Sequence, residues 1–134
     1  MHLKLADFGL IKAMLSAASG SDTMLPVTSR EMPYWLSPEV LRGEPYTESA
    51  DMYSYGVIGY EVLLGSVPYT TSSQPLTMKI LKRVSSGDIS LEEDDALAQC
   101  DAPPYLSELI SKCLSATSRP KALDACNVFR ANNS

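Results

Sequence analysis

The stretch from Ser49 to Leu64 constrains this chain more than any other part of it. Met52, Tyr53, Tyr55, Val57, Ile58, Tyr60, Val62, Leu63 and Leu64 cover nearly every direction around a helical wheel. A helix that is apolar on all sides has no wet face to offer, so it belongs at the centre of a fold with other elements around it. Ser49 reads as its N-cap, with a side-chain oxygen suited to accept from a first-turn N–H. Gly65 stands just past its end, where a left-handed backbone carries no Cβ penalty. A chain of 134 residues can build one core around such a helix, but not two.

The flanking segments supply what packs on it. Leu76 to Ser85 is an amphipathic helix with Lys79, Lys82 and Arg83 on its wet side. Ser86 to Pro103 reads as an acidic connector through Glu92, Glu93, Asp94 and Asp95. Pro104 to Ser115 restarts a helix with Leu106, Leu109, Ile110, Cys113 and Leu114 on one face, and Lys121 to Arg130 makes a short last one. Upstream, prolines punctuate Pro33 to Pro38 and block regular helix. Glu39 to Arg42 then forms a helical turn that Gly43 ends. Ala13 to Arg30 is small and polar, a long loop of the kind that is usually functional or disordered. At the start, His2 to Ala6 alternates polar and apolar, which suits a short half-buried strand before a turn at Gly9. The expected fold is mainly α with a lone N-terminal strand, an anomaly because a strand needs a partner and none follows.

Composition narrows the function classes. With 45% apolar and 20% charged residues the chain is of soluble globular type. A net charge of -5, with 11 scattered Lys and Arg, argues against nucleic acid or an anionic membrane as the main partner. No apolar run approaches the ~18 residues of a spanning helix. Lys4, Asp7 and Lys12 interrupt the only apolar stretch that a signal peptide would use. Cys100, Cys113 and Cys126 form no C-x-x-C pair and have only His2 for company, so a zinc site is a poor reading. Buried reduced thiols in a cytoplasmic, intracellular protein are the expectation.

Four segments, read together, resolve the lone strand. Leu3-Lys4-Leu5-Ala6-Asp7-Phe8-Gly9-Leu10 pairs a strand pattern with a carboxylate at the strand end, where a hard cation bridging nucleotide phosphates can be ligated. Met32-Pro33-Tyr34-Trp35-Leu36-Ser37-Pro38-Glu39-Val40 follows the long loop. Ser49 to Glu61 contains Asp51-Met52-Tyr53-Ser54-Tyr55-Gly56-Val57, and Leu109 to Leu114 precedes Arg119-Pro120. In order and spacing these resemble the C-terminal half of a eukaryotic-type protein kinase domain, of serine/threonine or tyrosine-kinase-like type, from its Asp-Phe-Gly turn onward. Ser37-Pro38-Glu39 stands where the family has Ala-Pro-Glu, and Tyr53 replaces the usual Trp. Any one segment alone would be a strand-to-turn junction, a proline-rich loop, a buried helix or a solvated arginine. An unrelated helical domain would need all four to match by chance.

The resemblance implies a kinase-like C-lobe fragment over residues 1–134. It divides into a strand and magnesium loop at 1–9, an activation and substrate-binding segment at 10–40, a central helix at 49–64 and further helices over 76–130. It implies ATP and Mg2+ as cofactors, with Asp7 as the nucleotide-metal ligand and Phe8 and Gly9 as structural neighbours. It pairs Glu39 with Arg119, a planar guanidinium suited to both oxygens of a carboxylate. It also gives Asp51 the task of holding the catalytic-loop backbone. Thr28 aligns with the activation-loop phosphorylation position, with Ser29 beside it. A phosphate there would add roughly two negative charges and could order the loop against basic groups.

The family's Gly-rich loop, its phosphate-gripping lysine and its His-Arg-Asp catalytic loop all precede Asp-Phe-Gly, and only six residues precede Asp7 here. No catalytic base is therefore expected in this chain, and tight ATP binding by it alone is not expected either. Glu31-Met32 stands where serine/threonine members have Gly-Thr, and a thioether cannot donate the hydrogen bond of that Thr. Two readings follow: a truncated piece of a serine/threonine kinase, inactive alone, or a non-catalytic, pseudokinase-like binding or scaffold module with a protein partner. Either way the helix at 49–64 would expose apolar surface, giving a route to self-association.

Overall fold

The computed structural model describes residues 34–45, 47–70 and 77–132, except for the side chain of Met78. These lie in one compact unit, Pro33–Ser134. The expected strand at His2–Ala6, the Asp7-Phe8-Gly9 turn and the loop carrying Thr28, Ser29 and Met32 fall outside the described residues. Among the described residues the structure is helical, with no strand.

The described residues form six helices in order: α1 Pro38–Leu41, α2 Glu48–Leu64, α3 Met78–Ser86, α4 Asp95–Gln99, α5 Pro104–Leu114 and α6 Ala122–Asn132. Proline opens both α1 and α5, where its missing N–H costs nothing and its fixed φ is already helical. Gly65 (φ 64°) and Gly87 (φ 83°) close α2 and α3 in the left-handed region, as glycine permits. Thr77 caps α3 by accepting from the Ile80 N–H.

Three sequence readings need correcting. α2 starts earlier than expected, at Glu48, and its N-cap is Thr47 in extended conformation, not Ser49. The Ser49 hydroxyl and carbonyl are instead directed at Arg119, so Ser49 is not free to cap. The acidic connector contains a helix, α4. Asp94 nucleates it by accepting from the Ala96 N–H at 2.9 Å, and the buried side chains of Leu91 and Leu97 tie this acidic stretch to the core. Cys113 is buried, but Cys100 is only half-buried and Cys126 is exposed, and all three are free thiols.

α2 is the axis of the unit and packs most closely on α5. The approach depends on two glycines. A Cβ at Gly56 would lie 2.9 Å from Cys113 Cβ, and one at Gly59 would overlap Ile110 Cδ1. Tyr53, Val57 and Tyr60 of α2 form the main core with Leu91, Leu97, Ile110 and Leu114. Met52 reaches a second cluster with Leu109, Cys113 and Ala125, which Val128 and Phe129 of α6 cover. α1 packs on α3, where Arg42 donates to the Ser85 carbonyl at 2.7 Å. Lys79, Lys82 and Arg83 of α3 are exposed while Leu81 and Val84 are buried, the amphipathic division the sequence suggested.

Burial of α2 is nonetheless one-sided. Tyr55, Ile58 and Val62 are 38%, 52% and 75% exposed. At spacings of three and four they form a single ridge along the helix.

Candidate functional site

The polar centre of the unit lies where α1, the first turn of α2 and the chain after α5 converge. α5 stops at Leu114, and Ser115 turns the chain. Its Oγ accepts from the N–H groups of Thr117 and Ser118, each at 3.4 Å, which bends the chain back and brings Arg119 inward. Arg119 Nε donates to the Ser115 carbonyl at 2.7 Å, which fixes the plane of the guanidinium. Nη1 then reaches Glu39 Oε1 at 2.5 Å and Nη2 reaches Oε2 at 3.0 Å, a two-pronged pair across 80 residues of sequence. Nη1 also donates to the carbonyl and hydroxyl of Ser49, at 3.2 and 3.3 Å. The ring of Tyr53 lies under the guanidinium carbon, 4.9 Å from ring centroid to Cζ, as a cation–π contact.

The Arg119 side chain is 4% exposed and that of Glu39 19%. Burial by itself would raise the Glu39 carboxyl. The bonds from Arg119 and a backbone N–H, the nearby Ser37 hydroxyl dipole and the Arg119 charge outweigh it and hold the group below the usual carboxylate range. Ser37 Oγ is buried and meets no partner in hydrogen-bond geometry, so it acts on the carboxylate as a neighbouring dipole, not a full bond.

A second polar contact holds the chain just before α1. Tyr34 OH and Trp35 Nε1 both donate to the Glu61 carboxylate, at 3.3 and 3.0 Å, and the two rings stack with centroids 3.8 Å apart. Ser54 Oγ donates to the Trp35 carbonyl at 2.8 Å. Burial, then the Glu61 charge, raises the Tyr34 phenol, so it remains a donor. Residues 34–41 are thus fixed to α2 at one end through Glu61 and to Arg119 at the other.

Of the residues singled out from sequence, the structure brings Glu39 and Arg119 together. Asp51 sits exposed in the first turn of α2, where a carboxylate favours the helix N-terminus. Asp7, Phe8, Gly9, Thr28 and Ser29 lie outside the described residues. Sequence reasoning gave no role to Ser49 beyond capping, none to Glu61, and none to Tyr53 beyond its replacing Trp. Glu61 had a legible signal: a lone carboxylate near the end of an apolar helix needs donors. Among the described residues no three His, Cys, Asp or Glu converge as a metal site, and no helix is long and apolar enough to cross a membrane. The described site is one that holds a segment in place.

A helical unit built on one central helix, with a Pro-Glu turn clamped by a distant buried arginine, defines the class. The protein kinase domain family matches residues 1–128, and the chain belongs to that family. It is similar to a serine/threonine-protein kinase/receptor, R831, of Acanthamoeba polyphaga mimivirus, at 35% identity over 84% of the chain. It is 48% identical over 43% of its length to dual specificity testis-specific protein kinase 2 of Rattus norvegicus, and 42% identical over 49% to the serine/threonine-protein kinase roco5 of Dictyostelium discoideum. The chain spans 6%, 10% and 2% of the lengths of these three relatives.

Proposed function

We propose that this chain is the C-lobe part of an ATP- and Mg2+-dependent serine/threonine protein kinase, and that its 134 residues alone transfer no phosphate. The observation that carries the reading is the buried Glu39–Arg119 pair. It anchors residues 34–41, which in this reading close the activation and substrate-binding segment, and an anchored segment is what phosphoryl transfer demands, because that chemistry is mostly positioning and charge stabilisation. In this reading 1–9 is the strand and magnesium loop, 10–40 the activation and substrate-binding segment, 49–64 the central helix and 76–130 the remaining lobe.

Asp7 would hold Mg2+ as one oxygen ligand among several, since this ion keeps octahedral oxygen coordination shared with phosphates and water. The metal would neutralise charge on the phosphates. Asp51 would hold the catalytic-loop backbone, and phosphorylation at Thr28 or Ser29 would order the activation segment. The 134 residues contain no His-Arg-Asp catalytic loop, so the base is not theirs to supply. A cytoplasmic, intracellular setting fits the free thiols of Cys100, Cys113 and Cys126. The protein substrate or partner would meet the lobe without nucleic acid or membrane, and the exposed ridge of α2 offers a route to self-association.

Met32 favours a second reading, a non-catalytic binding or scaffold module, because a thioether stands where the family's Thr donates to the catalytic Asp. The assay for the chain as it stands is incubation with labelled ATP, Mg2+ and a general protein substrate. No incorporation above background is expected. Incorporation that disappears in Asp7→Asn would contradict the proposal.

A further inference from the structure

Tyr69, in the turn after α2, is the non-glycine residue with positive φ among those described, at φ 61°. For a bulky aromatic this left-handed conformation is an outlier, and it persists only where the surroundings over-determine it. The structure shows what surrounds it. Pro68 on one side is fully buried, and Thr70 Oγ1 donates to the Val67 carbonyl at 2.7 Å, closing the turn. The Tyr69 hydroxyl is paired with that of Tyr53 at 2.9 Å. Both phenols carry their protons at neutral pH, and burial raises each further.

Tyr53 has a second engagement at the other side of its ring. It is 2% exposed, and its face lies under the Arg119 guanidinium that grips Glu39. One side chain therefore touches both the ion pair that anchors α1 and the strained turn that leads from α2 towards α3. We propose that the Tyr53 hydroxyl links the Glu39–Arg119 pair to the turn Val67–Thr70 by holding Tyr69 in its left-handed conformation, so that loosening the ion pair releases the turn. The two-state element is the Tyr69 backbone, left-handed when held and right-handed when relaxed. The bias on it is the ring position of Tyr53, which the guanidinium fixes while Glu39 keeps the guanidinium in place. Such a relay would report the state of the α1 anchor on the opposite end of α2, without either end moving as a rigid body.

Amide hydrogen exchange on the full chain tests this, read over Gly65–Thr70 and compared with the core amides of α5. Tyr53→Phe keeps the ring and removes only the hydroxyl. It is expected to speed exchange in the turn roughly tenfold, the size of one lost buried hydrogen bond, with α5 unchanged. Glu39→Gln is expected to speed exchange in the turn as well, and to add nothing there once Tyr53→Phe is present. If Glu39→Gln fails to give a helical circular dichroism spectrum, Arg119→Lys takes its place, since it keeps the charge and loses the fork. The proposal is overturned if Tyr53→Phe leaves the turn as protected as before. It is equally overturned if the ion-pair variant loosens the turn by the same factor with and without the Tyr53 hydroxyl.

Discussion

Among the described residues Arg119 concentrates an unusual share of the contacts: two bonds to one carboxylate, two to Ser49, one to its own turn and a face on Tyr53. Removing one member of a buried pair strands the other charge, so Arg119→Met should cost about 3 kcal/mol in urea unfolding. Arg119→Lys should recover only part of this, because an ammonium cannot bond both oxygens in the same plane. The pH dependence follows from the depressed Glu39 carboxyl. Its contribution is fully present above the ordinary carboxylate value of about 4.3 and is lost as pH falls through the lower folded value. The urea midpoint should therefore drop more steeply below about pH 4 in the native chain than in Glu39→Gln. Equal slopes would remove Glu39 from the account. At this scale the Glu39–Arg119 pairing was legible through resemblance. Ser49 was not, because its position before an apolar run looks like a cap until Arg119 is seen to occupy it.

Among elements, α2 and α5 approach closely enough that glycine is required at the contact. Glycine to alanine inside a helix normally gains up to ~1 kcal/mol. At Gly56 the added Cβ would meet Cys113 Cβ, an atom close to the backbone that cannot rotate away, so Gly56→Ala should instead destabilise by about 1–3 kcal/mol. At Gly59 the obstacle is the Ile110 side chain, and Ile110→Val should partly rescue Gly59→Ala. A Gly56→Ala chain that melts higher than the native one would contradict the close packing described. The apolar periodicity placed α2, α3, α5 and α6 to within a few residues. It missed α4 because five residues among acids carry no helical stripe: Asp94, which caps the helix and accepts from Tyr60 OH at 2.7 Å, and the burial of Leu97 decide it. The one-sided burial of α2 was also hidden, since a helical wheel cannot say which apolar faces find a neighbour.

For the whole molecule, the ridge of Tyr55, Ile58 and Val62 predicts behaviour in solution. Exposed contiguous apolar surface favours association. Ile58→Glu with Val62→Lys should leave the melting temperature within a few degrees while lowering the apparent mass in concentrated samples. If the native chain sediments as a monomer at all concentrations, the ridge plays no such part. The family match over residues 1–128 and the anchored 34–41 segment bear on the proposal that this lobe is part of a serine/threonine protein kinase. Its most direct test is a chimera in which residues 1–128 replace the matching segment of an active serine/threonine kinase. A folded chimera that phosphorylates the host's substrate, and loses that activity in Asp7→Asn, is the expected outcome. A folded chimera that is inert, and that gains transfer only when Met32→Thr is added, would contradict it and favour the non-catalytic module.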